Sequence, residues 1–395
     1  MTMIHEKYDS ILSTLAQAFQ LEEDRVREAV LRSHSGNEKA NLGRLQAVLD
    51  KAARGEKVTV AAIGGSITRG AACKSPKNDP AYTEALGGEA CWFTRTVEWF
   101  RKTFPQAEIR GINAGIGATP SFLGTFRLQR MVLDYQPDLV FVEFSVNDPS
   151  SRSNLLEGEW QDTYESVVRK SLEAGAAVVQ IFMNDQHHIG MEAFHRPVAD
   201  HYGVPCVSYH RAISPCGQHI CDWELLSPDD IHPNNAGHAL VATCLCSYLD
   251  GVMATQRQTA NAIADSWLHS DTFGKVQAIY ADQMAENATG DLIYHTDTKD
   301  CQFWFGTLVS QGGGSVFVTV PKGAKRVWVQ YYHQNGAFDV SFDGRRTSCN
   351  TAPVGWPRPM WFRVYTGEAL AADTKLTLTT HKEGAAILMG VLIAY

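Results

Sequence analysis

The sequence predicts two domains, an α/β domain built around a parallel sheet and an all-β domain that follows it. The chain has 395 residues, more than the roughly 100–200 residues usual for one domain. From residue 41 to about residue 255, short apolar runs alternate with helical patterns, as in successive βαβ units. Beyond that point the runs alternate apolar and polar residues between turn residues, which indicates a β-sandwich.

Residues 1–55 are predicted to form a helical extension that packs on the α/β domain. Ile11, Leu15 and Phe19 fall on one face of a helix, and a second apolar stripe begins at Val26. Amphipathic helices of this kind dock on a core or on a partner subunit. We therefore assign no chemistry to them and leave a homo-oligomer open.

Five apolar runs predict the strands of the parallel sheet, because strands covered on both faces are almost wholly apolar. They lie at residues 58–65, 107–115, 138–144, 176–183 and 204–209. A helical pattern over residues 235–249 closes the unit, and the polar stretch 255–270 predicts the boundary. The α/β domain is therefore expected over residues 56–255 and the β domain over residues 265–395.

Charge and composition argue against several classes of function. The chain carries 35 Lys and Arg against 43 Asp and Glu, a net charge of −8, whereas a nucleic-acid-binding protein is expected to be basic. No run approaches the roughly 18–20 apolar residues of a membrane span, and the longest is AILMGVLIAY, residues 386–395. The N-terminus shows no basic start followed by an apolar core, and the nine cysteines then favour reduced thiols and a cytoplasmic location.

Neither a metal nor an organic cofactor is predicted. The pairs Cys216–Cys221 and Cys244–Cys246 lack C-x-x-C spacing and a second pair. The histidines between residues 187 and 210 show no H-E-x-x-H pattern, and a place in a substrate cleft remains open for some of them.

The first predicted strand ends in IGGSITRG, residues 63–70, at the sheet edge where reactive groups of open α/β sheets gather. Its two glycines allow a sharp turn that exposes the Ser66 hydroxyl beside a helix N-terminus. A plain helix N-cap is the alternative interpretation of Ser66. The run departs from the G-x-S-x-G pattern of α/β-hydrolases, because Thr68 stands at the last position.

Two further strand ends carry groups suited to hold an oxyanion. NAGIGATPS, residues 113–121, is a glycine-rich turn whose backbone N–H groups can donate, and FSVNDPS, residues 144–150, places the Asn147 amide just past a buried strand. The alternatives are a phosphate cradle at the first turn and an Asx turn before Pro149 at the second. The phosphate patterns G-x-x-x-x-G-K-[ST] and G-x-G-x-x-G are both missing from the first turn.

The last reactive segment is SPDDIHPNNAGH, residues 227–238. Asp229 and His232 are three residues apart in one loop, so the carboxylate can fix the tautomer of the histidine and stabilise its charged form. The neighbouring Asp230 is expected to face solvent. Each of these four segments is common alone, but their occurrence together at successive strand ends predicts a hydrolytic site.

With these four blocks, residues 56–253 resemble the SGNH or GDSL hydrolases, a family named after its serine, glycine, asparagine and histidine blocks. The resemblance implies a three-layer, flavodoxin-like fold. It implies that Ser66 is the nucleophile, that His232 is the general base and that Asp229 orients His232. It also implies an acyl-enzyme that water releases, and an oxyanion hole formed by the Ser66 N–H, an N–H of the second block and the Asn147 side chain.

The chain departs from the family pattern at two positions. Gly65 replaces the aspartate of the G-D-S signature, which is not one of the reacting groups. In the second block Ala118 stands where the family glycine usually falls, with Gly117 adjacent. Either residue can therefore supply the second N–H of the oxyanion hole.

The predicted β domain is rich in aromatic residues, which stack on sugar rings when exposed and fill a core when buried. Trp356 and Trp361, in the turn GWPRPMW, are candidates for sugar binding, and Arg69, just after the serine turn, is a third substrate-binding candidate. The insert at residues 71–90 is either a lid or a surface loop. A hydrolase sheet followed by a β-sandwich resembles the two-domain carbohydrate O-acetylesterases, including those that act on acetylated mannan oligosaccharides, whose β domain resembles a jelly-roll carbohydrate-binding module.

The expected protein is thus a cytoplasmic serine esterase that removes acetyl groups from imported oligosaccharides and needs no cofactor. Two alternatives remain. A lipase or thioesterase would act on longer acyl chains, which rates against acyl-chain length would reveal. A carbohydrate-binding protein with an inactive hydrolase fold would bind glycan without ester turnover.

Overall fold

The computed structural model describes residues 4–73, 90–151, 155–296, 304–334, 336–351, 357–383 and 385–395. The chain divides into two compact units, Met1–His269 and Ser270–Tyr395. The first is an α/β unit and the second an antiparallel β unit, so the predicted succession of the two fold types is confirmed. Most of the insert predicted as a lid or a surface loop, residues 74–89, lies outside the described residues.

Helices and strands alternate along the N-terminal unit. Its described helices are α1 (Asp9–Phe19), α2 (Glu23–Ser33), α3 (Gly43–Ala53), α4 (Ser66–Arg69), α5 (Trp92–Thr103), α6 (Ser121–Met131), α7 (Asp148–Ser151), α8 (Glu159–Glu173), α9 (Glu192–Tyr202), α10 (Tyr209–Ile213), α11 (Trp223–Leu226) and α12 (Asn235–Ala254). Its strands are β1 (Val58–Gly64), β2 (Ile109–Gly115), β3 (Leu139–Glu143), β4 (Ala177–Phe182) and β5 (Cys206–Ser208). Each strand lies within one of the predicted apolar runs.

The five strands form one parallel sheet in the order β2-β1-β3-β4-β5. Val60 of β1 pairs with Gly111 of β2 on one side and with Leu139 of β3 on the other. This is the predicted flavodoxin-like order, in which the chain reverses direction across the sheet between β1 and β3. Ligands bind at such a switch point, outside the carboxyl ends of the strands, so the segments that follow β1 and β3 flank the expected site.

Helices cover both faces of this sheet, which explains why its strands are apolar. Val60 and Ala62 of β1 pack into one core with helices α1–α3, α5 and α12. Ala61 and Ile63 pack into the other core with α6, α8 and α9. Alternate residues of a strand point to opposite faces, so each strand contributes to both cores.

The N-terminal helices belong to this compact unit. Leu12, Leu15 and Phe19 of α1 are fully buried, as are Val26 and Val30 of α2. These side chains join the core that also contains α12. The apolar stripes seen in the sequence therefore lie against the core of the N-terminal unit itself.

Helix α12 is a core helix of the same unit. Among the described residues it is the one helix long and apolar enough to cross a membrane by length and composition, but 78% of its most apolar stretch is buried inside the unit. Leu240, Cys244 and Leu245 are at most 1% exposed. A helix that is apolar on all sides is typical of such a buried position, so packing accounts for its composition.

The C-terminal unit consists mainly of antiparallel strands. They are β6 (Val276–Tyr280), β7 (Ala288–His295), β8 (Thr307–Val320), β9 (Arg326–Tyr332), β10 (Ala337–Phe342), β11 (Arg345–Asn350), β12 (Pro359–Thr366), β13 (Thr374–Thr380) and β14 (Ala386–Ala394), with the short helix α13 (Ala281–Met284) after β6. Hydrogen bonds join the strands in the order β11-β10-β13-β8-β14-β9-β12, with β6 paired to β14 and β7 to β8. The fourteen-residue β8 lies in the middle of this path and joins its two halves, because it pairs with both β13 and β14.

The terminal run AILMGVLIAY, the longest apolar stretch of the chain, contains strand β14. All nine residues of β14 are buried, and the strand pairs with β6, β8 and β9. The sequence patterns did not predict β6, β7, β11 or β14. Strands β7 and β11 are largely exposed, so their sequences lack the apolar alternation that marks a half-buried strand.

Candidate active site

The first strand delivers Ser66 to the carboxyl edge of the sheet. β1 ends at Gly64, Gly65 is the N-cap residue of α4, and Ser66 is the first residue of that four-residue helix. The interpretation of Ser66 as a plain N-cap is therefore wrong, because Gly65 occupies the N-cap position. Ser66 is partly exposed, so its hydroxyl is accessible.

Close packing accounts for the two glycines before Ser66. A Cβ atom on Gly64 would lie 2.2 Å from Thr68 Oγ1, and one on Gly65 would lie 1.8 Å from Asn147 Oδ1. Neither distance is sterically possible, so a side chain at position 65 would require Asn147 to move. The glycine found in place of the family aspartate thus belongs to an arrangement in which the Asn147 side chain packs directly against the turn that carries Ser66.

A chain of hydrogen bonds links Ser66 to the D-x-x-H loop. Ser66 Oγ lies 2.8 Å from His232 Nε2, and His232 Nδ1 lies 2.9 Å from Asp229 Oδ2. Because a carboxylate only accepts hydrogen bonds, these partners assign the ring proton to Nδ1 and leave Nε2 to accept from the Ser66 hydroxyl. The structure brings these three side chains together although 166 positions separate Ser66 from His232.

The loop itself fixes Asp229. Its Oδ1 accepts the backbone N–H groups of Ile231 at 2.8 Å and His232 at 2.7 Å, and its carbonyl oxygen accepts from Trp223 Nε1 at 2.6 Å. Burial alone would raise the pKa of Asp229, but the hydrogen bonds from His232 and Ile231 outweigh burial and hold the pKa below its ordinary value. Asp229 therefore stays ionised and can support a charged His232. Asp230 is exposed, as expected.

The second block forms a turn beside the end of β1. The Ile116 N–H donates to Gly64 O at 3.0 Å, and the Thr119 N–H donates to Ile116 O at 3.4 Å. Within this turn Ala118 has a φ of 59°, in the left-handed region that favours glycine. The backbone conformation thus fits the glycine that the resemblance implies for this position, and alanine adopts it at a cost of about 1 kcal/mol. Gly117 is buried, and both residues remain candidates for the second N–H.

The third block follows β3 in a tight turn. The Asn147 N–H donates to Phe144 O at 3.1 Å, and α7 begins at the next residue. Asn147 is partly exposed, and its amide packs against Gly65. The ends of β1, β2 and β3 therefore gather Ser66, the second-block turn and Asn147 at one edge of the sheet.

A buried arginine that the sequence analysis missed joins two of these strand ends. Arg127 of α6 is 0% exposed, and its Nη2 donates to Gly64 O at 2.8 Å and to Thr119 Oγ1 at 3.1 Å. Its Nη1 donates to Ala114 O. A guanidinium presents its donors in a rigid fork, so Arg127 fixes β1 and β2 where the Ser66 and second-block turns begin. The only signal in the sequence is an arginine inside the helical pattern SFLGTFRLQRM.

Glu143 is a second buried charged residue at this edge. It is the last residue of β3 and is 0% exposed, and its carboxylate accepts from Thr68 Oγ1 at 3.0 Å and from the Ser145 N–H at 3.1 Å. Burial raises its pKa to about 7. Glu143 thus ties β3 to α4, the helix that begins at Ser66. Its signal is a single glutamate near the end of the otherwise apolar run DLVFVEF.

The predicted substrate-binding residues lie in three different settings. Arg69 is the last residue of α4 and is exposed. Trp361 lies on β12 of the C-terminal unit and is 7% exposed, and Trp356 lies outside the described residues. Their role in substrate binding stays a prediction.

The histidines after β4 and on α9 also occupy different environments. His187 and His188 are exposed, and the His188 ring stacks on His219 with the ring centroids 4.3 Å apart. His195 is buried. Within the described ranges, no group of three or more His, Cys, Asp or Glu side chains is arranged to hold a metal ion.

Comparison with known proteins agrees with the resemblance inferred from the four blocks. Residues 62–240 match the GDSL-like Lipase/Acylhydrolase family. The structure is similar to a crystal structure of a two-domain esterase active on acetylated mannans, with 27% sequence identity and a TM-score of 0.73, over 91% of this chain and 96% of that chain. A crystal structure of such an esterase co-crystallised with mannopentaose gives 27% identity and a TM-score of 0.72, over 91% of this chain and 98% of that chain. Comparison with curated protein sequences gave no match.

Proposed function

We propose that this carboxylic ester hydrolase, whose residues 62–240 form a GDSL-like lipase/acylhydrolase domain, is a serine esterase that removes O-acetyl groups from carbohydrates. The observation that carries the proposal is the hydrogen-bonded chain from Ser66 through His232 to Asp229 at the carboxyl edge of the sheet. A serine hydroxyl is a weak nucleophile until a neighbouring base accepts its proton, and His232 Nε2 is placed to do so.

In the first half of the proposed reaction, Ser66 Oγ attacks the carbonyl carbon of the acetyl ester while His232 Nε2 takes the hydroxyl proton. Asp229 stabilises the imidazolium that forms and keeps the ring oriented. His232 then gives the proton to the sugar oxygen, which leaves as an alcohol. The acetyl group remains on Ser66 as an ester.

In the second half, a water molecule attacks the acetyl ester on Ser66 while His232 takes a proton from the water. The tetrahedral intermediate collapses as the bond to Ser66 Oγ breaks, and His232 returns the proton to Ser66 Oγ. The product leaves as acetic acid, which ionises to acetate by losing its proton to solvent. His232 accepts or donates the proton in each transfer at the active site, so the proposed reaction uses neither a metal nor an organic cofactor.

Each tetrahedral intermediate carries an oxyanion that needs hydrogen-bond donors. The proposed donors are the Ser66 N–H, an N–H of the second-block turn and the Asn147 side chain. The packing of Asn147 against Gly65 supports this assignment, because it keeps the amide beside the turn that carries Ser66. Within the second-block turn, Gly117 and Ala118 both remain candidates for the donor.

An acetylated oligosaccharide is the proposed substrate class. The two similar crystal structures are of two-domain esterases active on acetylated mannans, and one of them was co-crystallised with mannopentaose. The similarity spans 91% of this chain, so it includes both units. This supports a carbohydrate ester over a lipid ester, and a role of the C-terminal unit as a carbohydrate-binding module is part of the proposal.

The proposed setting is the cytoplasm, where imported oligosaccharides would be deacetylated. Seven of the cysteines that the structure describes are free thiols, which agrees with a reducing compartment; they are Cys91, Cys206, Cys216, Cys221, Cys244, Cys246 and Cys349. A homo-oligomeric state stays a prediction. So does the expectation that neither a nucleic acid nor a membrane is a partner.

Acetate release from a panel of acetylated oligosaccharides, with a long-chain acyl ester alongside, tests the proposal. The wild-type protein is expected to deacetylate the oligosaccharides, and Ser66→Ala is expected to lower kcat by about 10⁴–10⁶-fold. The matched control is Ser10→Ala, at an exposed serine of α1, which should keep full activity.

Two outcomes would overturn the proposal. Hydrolysis of the long-chain ester alone would make the protein a lipase or thioesterase. Glycan binding without Ser66-dependent turnover of any ester would leave a binding protein with an inactive hydrolase fold.

A further inference from the structure

Directly after Asn147 in the chain, Asp148 forms a second aspartate–histidine pair, distinct from Asp229 and His232. Asp148 Oδ2 lies 2.9 Å from His195 Nε2. The two side chains are 0% and 1% exposed, so neither is open to a substrate. A carboxylate this deeply buried is tolerated only with close polar partners, because its desolvation otherwise costs several kcal/mol.

The same carboxylate also reaches the second block. Asp148 Oδ1 accepts the Ser121 N–H at 2.7 Å. Ser121 is the first residue of α6, and only Pro120 separates it from the second-block turn. Asp148 itself follows Asn147 immediately. One carboxylate therefore joins the two chain segments that carry proposed oxyanion donors.

His195 is fixed from a third direction. Its ring stacks on Tyr164 of α8 with the centroids 3.5 Å apart and the planes 3° from parallel. Tyr164 is fully buried, and its hydroxyl lies 3.0 Å from the side-chain amide of Gln180 on β4. The core of the unit, rather than a surface loop, thus sets the position of the His195 ring and of the carboxylate bonded to it.

We propose that Asp148 and His195 are positioning residues that set the geometry of the oxyanion hole, an inference that rests on the proposed esterase function. The Asp148 carboxylate holds Ser121, which follows the second-block turn after Pro120, at a fixed distance from Asn147. His195 orients that carboxylate. Without the pair, the oxyanion donors shift by small distances, and a displaced donor loses part of the stabilisation that an aligned one gives.

Asp148→Asn and His195→Gln test this inference. Loss of a whole oxyanion donor costs about 10²–10³-fold in kcat, so displacement of donors is expected to lower kcat by about 10–100-fold. KM should change by less than about threefold, because the lost interaction forms in the transition state. The matched control is His201→Gln on the same helix, whose ring contacts Ser266 O outside the pair and which should keep the wild-type kcat.

Two further readouts separate positioning from a general loss of structure. A boronic acid that forms a tetrahedral adduct on Ser66 should lose affinity in proportion to the loss in kcat, because the oxyanion hole holds an oxygen of the adduct. In an Asn147→Ala background, Asp148→Asn should cost much less than it does in the wild type, since one donor that the pair positions is already gone.

Circular dichroism and thermal unfolding establish which variants are folded. If Asp148→Asn does not fold, the kcat of His195→Gln tests the inference instead. Folded variants with wild-type kcat would overturn the inference. The inference would also be overturned if the fold-loss in kcat of the double variant Asn147→Ala, Asp148→Asn equalled the product of the fold-losses of the two single variants. If Ser66→Ala keeps its activity, the proposed esterase function fails instead, which is a separate result.

Discussion

The two aspartate–histidine pairs of the N-terminal unit are built in opposite ways. Asp229 and His232 lie three residues apart on one loop, and their side chains are 49% and 24% exposed. Asp148 and His195 are 47 positions apart, and their side chains are 0% and 1% exposed. The exposed pair can exchange protons with a bound ester, whereas the buried pair can only hold other groups in place. Access to solvent and substrate, rather than the chemistry of the pair, separates the two proposed roles.

Of the two aspartate–histidine pairs, the exposed one is expected to give the larger effect, in Asp229→Asn. An amide at this position leaves His232 in the wrong tautomer, which should lower kcat by about 10⁴-fold. The corresponding Asp148→Asn change is expected to cost only about 10–100-fold. Steady-state hydrolysis of an acetylated oligosaccharide measures both variants, and equal losses would remove the distinction between the pairs.

Glu143, which is buried like Asp148 and His195, is expected to make the stability of the protein depend on pH. Its pKa of about 7 in the folded protein lies above its ordinary value of 4.5, so between these values the folded state binds more protons than the unfolded state. The stability that this group contributes is therefore present at low pH. It should fall by about 2 kcal/mol as the pH rises from about 5 to about 7.

Urea unfolding of the wild type and Glu143→Gln across this pH range measures the effect. Glu143→Gln should not show this decrease in stability. Its free energy of unfolding should therefore increase relative to that of the wild type as the pH rises. A difference between the two proteins that does not change with pH would contradict the prediction.

His238 of α12 is expected to give the opposite slope. Its Nδ1 accepts from the Trp92 N–H at 3.3 Å and its Nε2 donates to Ala71 O at 3.1 Å, an arrangement that requires a neutral ring. Burial lowers its pKa from 6.5 to about 4. Its contribution is therefore present above pH 6.5 and is lost as the pH falls, by about 2 kcal/mol between about pH 7 and pH 5.

The same unfolding series on His238→Gln checks this contribution. The variant should lose less stability than the wild type when the medium is acidified. Relative to the wild type, the Glu143 and His238 variants should thus change in opposite directions with pH, and parallel changes would contradict the assignment of at least one of the two groups.

The smallest effect is expected from Ala118→Gly. The left-handed conformation costs alanine about 1 kcal/mol, and glycine loses about 0.5 kcal/mol more backbone entropy on folding. The free energy of unfolding should therefore rise by about 0.5 kcal/mol. Ala53→Gly, at the exposed last residue of α3, is the matched control and should lower it, by at most about 1 kcal/mol. A loss of stability in Ala118→Gly would show that the methyl group makes contacts worth more than the strain.

The parts of the molecule that the sequence could predict are those encoded within short segments. Strands β1–β5 are buried on both faces, so each appears as a continuous apolar run. Asp229 and His232 share one loop, and their spacing alone suggests that the carboxylate can reach the ring. Ser66 could be predicted as a candidate nucleophile because two glycines precede it at a strand end.

The parts that escaped prediction depend on contacts between distant segments. Arg127 and Glu143 are each a single charged residue in a largely apolar segment. Such a pattern indicates burial, but it does not show which groups the charged side chain contacts. The bond between Asp148 and His195 joins α7 to α9 across 47 positions, and no local spacing encodes it. In the C-terminal unit, β7 and β11 carry polar and exposed residues, so no periodicity marks them.

The contact between Gly65 and Asn147 constrains the evolution of this site. A Cβ atom at position 65 would lie 1.8 Å from Asn147 Oδ1, so a side chain there requires the Asn147 amide to shift. Such a shift changes the placement of the proposed oxyanion donor. The effect of a substitution at position 65 is therefore expected to depend on how far the side chain of residue 147 can move, which is epistasis between two positions that are distant in the sequence.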